Sequence, residues 1–308
     1  MGNTKIADIL ILILTGFLAY GLQVPWLGFF QDDWNFVFFS SYEGAQGIFE
    51  FLILDGRPGA SWVYIWGFSL FGYKPEFWQA FSIVLRILTT VVFWQILNQF
   101  WQNRRYGNLV ISILFLIYPF FTLQPLSIAY APHFAAFLFY MLSIYLMTKA
   151  QQAPSQYLFF TAPAILLTFG HLFTVEYFIG LELLRPIAIW YFIQHTPYEK
   201  TPLKRARYLA KHWLPYLFVL LFFVAWRSIM LSSLGVRNDP IASLLGSNSI
   251  LLHVLKNAPA DLILMLINTW FKLFDPQLFV IGPIRNLYIF IISIGAGACY
   301  YLALKNFA

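Results

Sequence analysis

The sequence predicts an all-α, polytopic membrane protein of about nine transmembrane helices, a single transmembrane domain over residues 1–308, with interfacial helices in its first outer loop. Three observations predict it. Hydrophobic residues make up 60% of the chain and charged residues only 10%, against about 25% charged in soluble domains. The apolar residues fall in runs approaching the roughly 20 needed to cross a bilayer. Aromatic residues reach 20%, a load that 19 basic and 13 acidic side chains could not coat in water. A soluble enzyme and a disordered chain are excluded. A disulfide scaffold is excluded too, because Cys299 is the single cysteine. The net charge of +6 fits cytoplasmic loops facing anionic lipid better than it fits nucleic acid.

The first span reads from about Ile6 to Phe29, and no small-residue cleavage site follows it, so it reads as a retained helix. Further spans read at 76–100, 107–121, 126–148, 156–173, 175–194, 213–233, 257–274 and 284–304. The segment from Ala60 to Gly72 is apolar but short, and Gly72, Lys74 and Pro75 break it. Whether it crosses is decided by the charges. With this segment in the interface and the N-terminus inside, eleven bases fall on the cytoplasmic side: Lys5, Arg104, Arg105, Lys149, Lys200, Lys204, Arg205, Arg207, Lys211, Lys272 and Arg285. Five fall outside: Arg57, Lys74, Arg237, Lys256 and Lys305. The alternative exports the most basic loop, against the positive-inside rule. Residues 60–72 therefore read as an amphiphilic helix on the outer surface.

The same topology sorts the acids. Asp32, Asp33, Glu43, Glu50, Asp55 and Glu76 crowd the first outer loop, residues 30–75. Asp32 and Asp33 follow the first span within Phe30-Gln31-Asp32-Asp33-Trp34. Two adjacent carboxylates beside hydrocarbon repel each other and are poorly solvated, which raises the pKa of at least one. Such a pair suits a general base or a metal ligand, against the plain reading of a wet helix end. Asp55-Gly56-Arg57-Pro58-Gly59 forms a turn that places Arg57 at headgroup level, as a ligand for phosphate or carboxylate or as a lipid anchor.

Other polar residues fall at the same level. His133 begins the fourth span, and His171 and Glu176 flank the turn between the fifth and sixth. Each either contacts substrate or serves structure, the histidines by bridging helices and Glu176 by favouring a helix N-terminus. Arg227 lies within the seventh span, where it must pair or snorkel. Arg237 sits in a second sizeable outer loop, 234–257. Arg86 needs an interior partner, and Glu182 with Arg185, three apart, reads as a self-neutralising pair. No Walker, Rossmann, zinc or Ser-His-Asp arrangement is present.

The order of these features resembles membrane-embedded glycosyltransferases of the GT-C fold, in the protein-mannosyltransferase-like and aminoarabinose-transferase-like branch. The resemblance rests on an outer loop opening with the acidic pair, the Gly56-Arg57-Pro58 turn and a short interfacial helix. It continues in Pro75-Glu76-Phe77-Trp78 entering a long span, and in Leu114-Phe115-Leu116-Ile117-Tyr118-Pro119. It covers residues 6–195 by motif order and the remainder by topology. It implies a polyprenyl-phosphate-linked sugar donor, a lipid, glycan or protein acceptor, and transfer on the extracytoplasmic face. Asp32 or Asp33 would be the base, and Arg57, His133, His171, Glu176, Arg227 and Arg237 would line the substrate site. No cofactor is required by the sequence, although an acid-bound divalent metal is compatible with it. The compact loops favour a bacterial inner membrane. Two other classes stay open at this point: a transporter or flippase of a lipid-linked substrate, and a catalytically inactive assembly protein of the same fold.

Overall fold

The computed structural model describes residues 2–118, 123–195, 201–234 and 250–268, together with isolated helical positions between 287 and 298. Among the described residues there is no strand. Helix α1 (Gly2–Tyr20) runs into a 3₁₀ turn, Gly21–Trp26. Three short helices follow, α2 (Asp33–Tyr42), α3 (Gly44–Leu54) and α4 (Ser61–Phe71). Gly72, at φ +57°, stops α4, and Pro75 opens the 26-residue α5 (Pro75–Phe100). Proline suits a first helical turn because its missing N–H would have no partner there. Then come α6 (Arg105–Leu116), α7 (Ala131–Gln152), α8 (Tyr157–Thr174), α9 (Leu184–His195), α10 (Pro202–Leu234) and α11 (Ile250–Ile263).

Five stretches are long and apolar enough to cross a membrane: Thr4–Trp26, Pro75–Phe100, Ala131–Gln152, Pro154–Thr174 and Pro202–Met230. Several of these helices turn apolar side chains outward. Leu10 and Leu14 of α1, Leu166 of α8 and Phe218 of α10 are all more than half exposed. Meanwhile Gln79, Ser82, Arg86, Ser143, Thr168, His171, Glu182 and Arg185 are buried. Water would not tolerate that distribution over so large an area, whereas lipid does. Among the described residues the protein is all-helical, with the apolar surface of a membrane protein.

The structure departs from the expected spans at specific places. The third, expected at 107–121, holds the 12-residue α6. The fourth starts later than expected, because residues 123–130 form successive turns before Pro132 opens α7. The sixth, expected at 175–194, divides into a 3₁₀ stretch, Glu176–Leu183, and the 12-residue α9. The tighter winding turns Glu182 inward to reach His171, which a long apolar helix would not require. Residues 60–72 hold α4, whose 11 residues are too few to cross. The eighth span falls partly on α11 and a following π turn, Leu264–Asn268. The ninth, and most of the loop 234–257, lie outside the described residues apart from isolated helical positions and the start of α11.

The bundle packs around α7, which lies between α5 and α8. Ala131, Ala135, Ala136, Ser143, Ala150 and Ala164 are buried at its contacts, and small side chains let backbones approach. The Ser143 hydroxyl lies 2.6 Å from the Ala164 carbonyl and 2.9 Å from the Thr168 hydroxyl. Cross-links fix one end and the middle of the bundle. At one end the Arg105 guanidinium clasps Asp8 at 2.7 and 2.9 Å, the Tyr191 hydroxyl donates to the Phe100 carbonyl, and the Tyr208 hydroxyl donates to Gln151. Midway along α5, Arg86 donates twice to the Leu116 carbonyl at the end of α6, and its guanidinium lies over the Tyr20 ring at 4.4 Å. Arg86 therefore bonds helix to helix. Arg104, Arg105, Lys149, Lys204, Arg205, Arg207 and Lys211 belong to the first end, while the short helices α2–α4 sit at the second.

Two close approaches hold α4 in place. The Trp78 indole donates to the Gly72 carbonyl at 3.0 Å, and a Cβ on Gly67 would lie 2.1 Å from that ring. A Cβ on Gly59 would lie 1.8 Å from the Phe173 carbonyl oxygen, so the turn before α4 touches the end of α8 backbone to backbone. Gly59→Ala should destabilise the folded protein by about 3 kcal/mol or more, since neither backbone can yield. Gly28→Ala, where nothing lies within 4 Å, should be near neutral. Thermal unfolding of both variants in detergent micelles checks the pair.

Candidate functional site

The acidic pair divides. Asp33 is fully buried at the start of α2. Its Oδ1 accepts the backbone N–H groups of Ile128 at 3.0 Å and Ala129 at 2.8 Å, and its Oδ2 accepts that of Phe30 at 3.2 Å. The carboxylate thus pins the first loop to the turns before α7. Gln31, between those bonds, takes φ +40°, in the left-handed region that costs a non-glycine residue strain. Burial pushes the Asp33 carboxyl above the ordinary aspartate range, and the backbone N–H groups of Ala129, Phe30 and Ile128 only partly oppose that shift. Of the two causes that the sequence predicts for a raised pKa in the pair, poor solvation and repulsion from the neighbour, burial is the one that acts on Asp33. Asp32 is exposed beside it, with no side-chain bond to the α2 backbone. Asp32 and Arg57 both lie within electrostatic reach of Tyr130 and Tyr64.

The second part is a carboxylate shared by two guanidinium groups. The Arg57 Nε lies 3.0 and 3.2 Å from the two Glu176 oxygens, and its Nη2 lies 2.9 Å from Oε1. Its Nη1 pairs with Asp55 at 2.9 Å. From α10, Arg227 Nη2 approaches Glu176 Oε1 at 3.2 Å, and its Nη1 donates to the Gly56 carbonyl at 3.0 Å. The buried Arg227 Nε has no hydrogen-bond partner among the described residues. Arg227 is thus paired at the end of the bundle. Burial alone would raise the Glu176 carboxyl, but hydrogen bonds and charge from Arg57, and charge from Arg227, outweigh it and hold it below the usual glutamate value. For Arg57 burial works against the charged form, yet Glu176 and Asp55 raise its guanidinium further still.

The third part is aromatic. His133, in the first turn of α7, packs at tilted angles between the rings of Tyr130 at 4.7 Å and Tyr177 at 4.9 Å. Both its ring nitrogens are buried without a hydrogen bond among the described residues. Tyr177, well exposed, also accepts from Arg57 Nη2 at 3.1 Å and carries that guanidinium over its ring at 4.9 Å. Asp32, Asp33, Arg57, His133, Glu176 and Arg227 are therefore gathered at one end of the bundle by α2, the Arg57 turn, α7, the 3₁₀ stretch and α10.

His171 stands apart. It is fully buried in α8, and its Nε2 lies 2.8 Å from Glu182 Oε1. Arg237 lies outside the described residues. Among the described residues no group of three or more His, Cys, Asp or Glu side chains could hold a metal ion. Sequence reasoning passed over Tyr130 and Tyr177. Nothing marks them among 18 tyrosines except that each lies within three residues of a singled-out polar residue, His133 or Glu176. The arrangement offers an exposed carboxylate, two guanidinium groups that share a carboxylate partner, and aromatic faces beside them. A smaller cavity of about 210 Å³ lies beside the pinned turn, lined by Tyr20, Gln23, Gln79, Gln124 and Pro125 among others. Comparison of the chain with protein-family models, with curated proteins and with solved structures returned no match.

The Glu176 linkage makes a pH prediction. Its folded pKa lies below the unfolded value of 4.5, so its stabilisation is fully present above about pH 4.5 and is lost as pH falls through the folded pKa. Glu176→Gln, which leaves two guanidinium groups without their shared anion, should cost about 3 kcal/mol at neutral pH. The difference in unfolding temperature between wild type and variant, followed from pH 7 towards pH 3, should hold constant and then narrow at the acid end.

Proposed function

We propose that the protein is a membrane-embedded glycosyltransferase. It moves a sugar from a polyprenyl-phosphate-linked donor to a hydroxyl or amine of a lipid, glycan or protein acceptor. The observation that carries this reading is the convergence, at one end of an apolar bundle, of exposed Asp32 with the Arg57–Glu176–Arg227 cluster and the His133 and Tyr177 rings. Transfer needs a base for the acceptor proton and positive charge for the departing phosphate. Asp32 supplies the first. It takes the acceptor proton as the acceptor oxygen or nitrogen bonds to the anomeric carbon, and the bond from that carbon to the phosphate oxygen breaks with its electron pair on the phosphate. Arg57 and Arg227 supply the second. Glu176 holds both guanidinium groups in place at rest, and the donor phosphate competes for them as a bidentate anion. Asp33 does not react; it positions Asp32 by fixing the loop to the turns before α7.

Orientation follows from charge. The end that carries Arg104, Arg105, Lys149 and Lys204 to Lys211 faces the cytoplasm, and the Asp32 end faces outward. The short helices α2–α4, with Trp34, Trp62, Trp66 and Tyr73 partly exposed, lie in the outer interface and admit the donor from the lipid. A bacterial inner membrane suits the compact loops.

Asp32→Asn should lower sugar transfer about 10²- to 10⁴-fold with little change in unfolding temperature, as removal of a general base does. Asp33→Asn should instead lower stability by about 2 kcal/mol, because an amide cannot accept three backbone N–H groups as a carboxylate does. Transfer from radiolabelled polyprenyl-phosphate hexoses and pentoses in proteoliposomes, read beside thermal unfolding, tests both. Full transfer by Asp32→Asn would remove Asp32 as the base, and no turnover of any such donor by wild type would overturn the transferase reading.

A further inference from the structure

A polar seam runs inside the bundle that sugar transfer does not use. On α8, Tyr157, Thr161, Thr168, His171 and Thr174 recur every three to seven residues and share one face, and all but Tyr157 are buried. They cover 17 residue steps, about 26 Å at 1.5 Å per residue, close to the roughly 30 Å of hydrocarbon in a bilayer. Neighbouring helices face this stripe with further polar groups. At the basic end, His212 stacks on Tyr208 and meets the Tyr157 ring at 5.0 Å. The Thr161 hydroxyl lies near both Tyr157 and Tyr216 but makes a full hydrogen bond to neither. The Tyr216 ring lies under Arg185 at 4.6 Å, and Arg185 Nη2 donates to the Thr168 hydroxyl at 3.0 Å. Arg185 pairs with Glu182 through two bonds, and Glu182 bonds His171 at 2.8 Å. One turn further on, the Thr174 hydroxyl accepts from Trp62 at 3.2 Å, two residues before Glu176.

Packing alone does not account for this line of side chains. The Thr161 hydroxyl, the Tyr216 hydroxyl and His171 Nδ1 are buried without a hydrogen-bond partner among the described residues. An orphaned donor or acceptor costs about 1–3 kcal/mol, and an apolar residue of the same shape would avoid that cost. The three orphans fall where links of the line are open, the positions a bound water would bridge. His212, Tyr157, Tyr216, Glu182 and His171 can accept and pass a proton, the threonine hydroxyls can orient one, and Arg185 and Trp62 serve only as fixed donors. The fixed charge of Arg185 is cancelled by Glu182, so the seam does not repel a cation outright.

We propose that this seam conducts protons along α8, between the basic end at His212 and the end that holds Glu176. It stands on observations separate from the transferase site and does not require that reading. The test uses the full chain in liposomes loaded with a pH-sensitive dye, with proton flux driven by a potassium gradient and valinomycin. Wild type should collapse the proton gradient about tenfold faster than protein-free vesicles. Thr161→Val and Tyr216→Phe should each cut that excess about tenfold, the effect of one lost hydrogen-bonded link. Both variants keep the shape, Tyr216→Phe keeps the ring under Arg185, and each removes a buried hydroxyl without a protein partner, so unfolding temperatures should not fall below the wild-type value. A merely structural seam would give wild-type flux equal to that of protein-free vesicles, or equal flux in wild type and both variants. Either result overturns the proposal.

Discussion

A single buried carboxylate, Asp33, holds the site end of this molecule together. It accepts N–H groups from the turns that lead into α7 and from its own loop. Those turns are buried with no regular helix to satisfy their backbone, and a buried unsatisfied N–H costs about 1–3 kcal/mol. An ionised acceptor answers two of them at once. Once that link is made, the start of α2 is fixed against the start of α7. Asp32, Tyr130 and His133 then take their relative places, and Gln31 tolerates its strained backbone because the bonds on either side leave it no alternative.

The same constraint explains how the few charges are used. In an apolar bundle a charge must be paired or lie at the boundary. Arg105 takes Asp8, Arg86 takes a helix-ending carbonyl, Arg185 takes Glu182, and Arg57 and Arg227 share Glu176. The last arrangement differs from the others. One carboxylate serves two guanidinium groups, Asp55 assists at one side, and one guanidinium N–H has no partner among the described residues. In the proposed transferase these shared guanidinium groups would meet the donor phosphate, whereas the other pairs join helix to helix.

Much of this was legible in the sequence, for reasons that are local. The class follows from composition, and α1, α5, α7, α8 and α10 follow from the length of apolar runs. Arg86 and Arg227 could be marked as needing partners from their positions alone. Glu182 and Arg185 could be paired because three residues on a helix bring side chains together. What could not be read was any pairing across long separation. Arg57 and Glu176 are 119 positions apart, and Asp33 and Ala129 are 96 apart. Neither Tyr177 nor Tyr130 carries a local mark. The 3₁₀ stretch after α8 was hidden because its residues are as apolar as a spanning helix, and only the demand that Glu182 meet His171 decides its winding.

The sequence by itself determined the membrane class, the sorting of bases from acids along the chain, and the short list of polar residues that an apolar interior could not leave alone. These depend on residue type and order, to which lipid responds directly. Tertiary structure decided which of two adjacent aspartates is buried and which stays exposed. It also decided that Glu176 is shared by two arginines, and that His171 belongs to an interior seam rather than to the site. Each of these depends on which backbone or side chain arrives from a distant helix, and that is set by how the whole bundle packs.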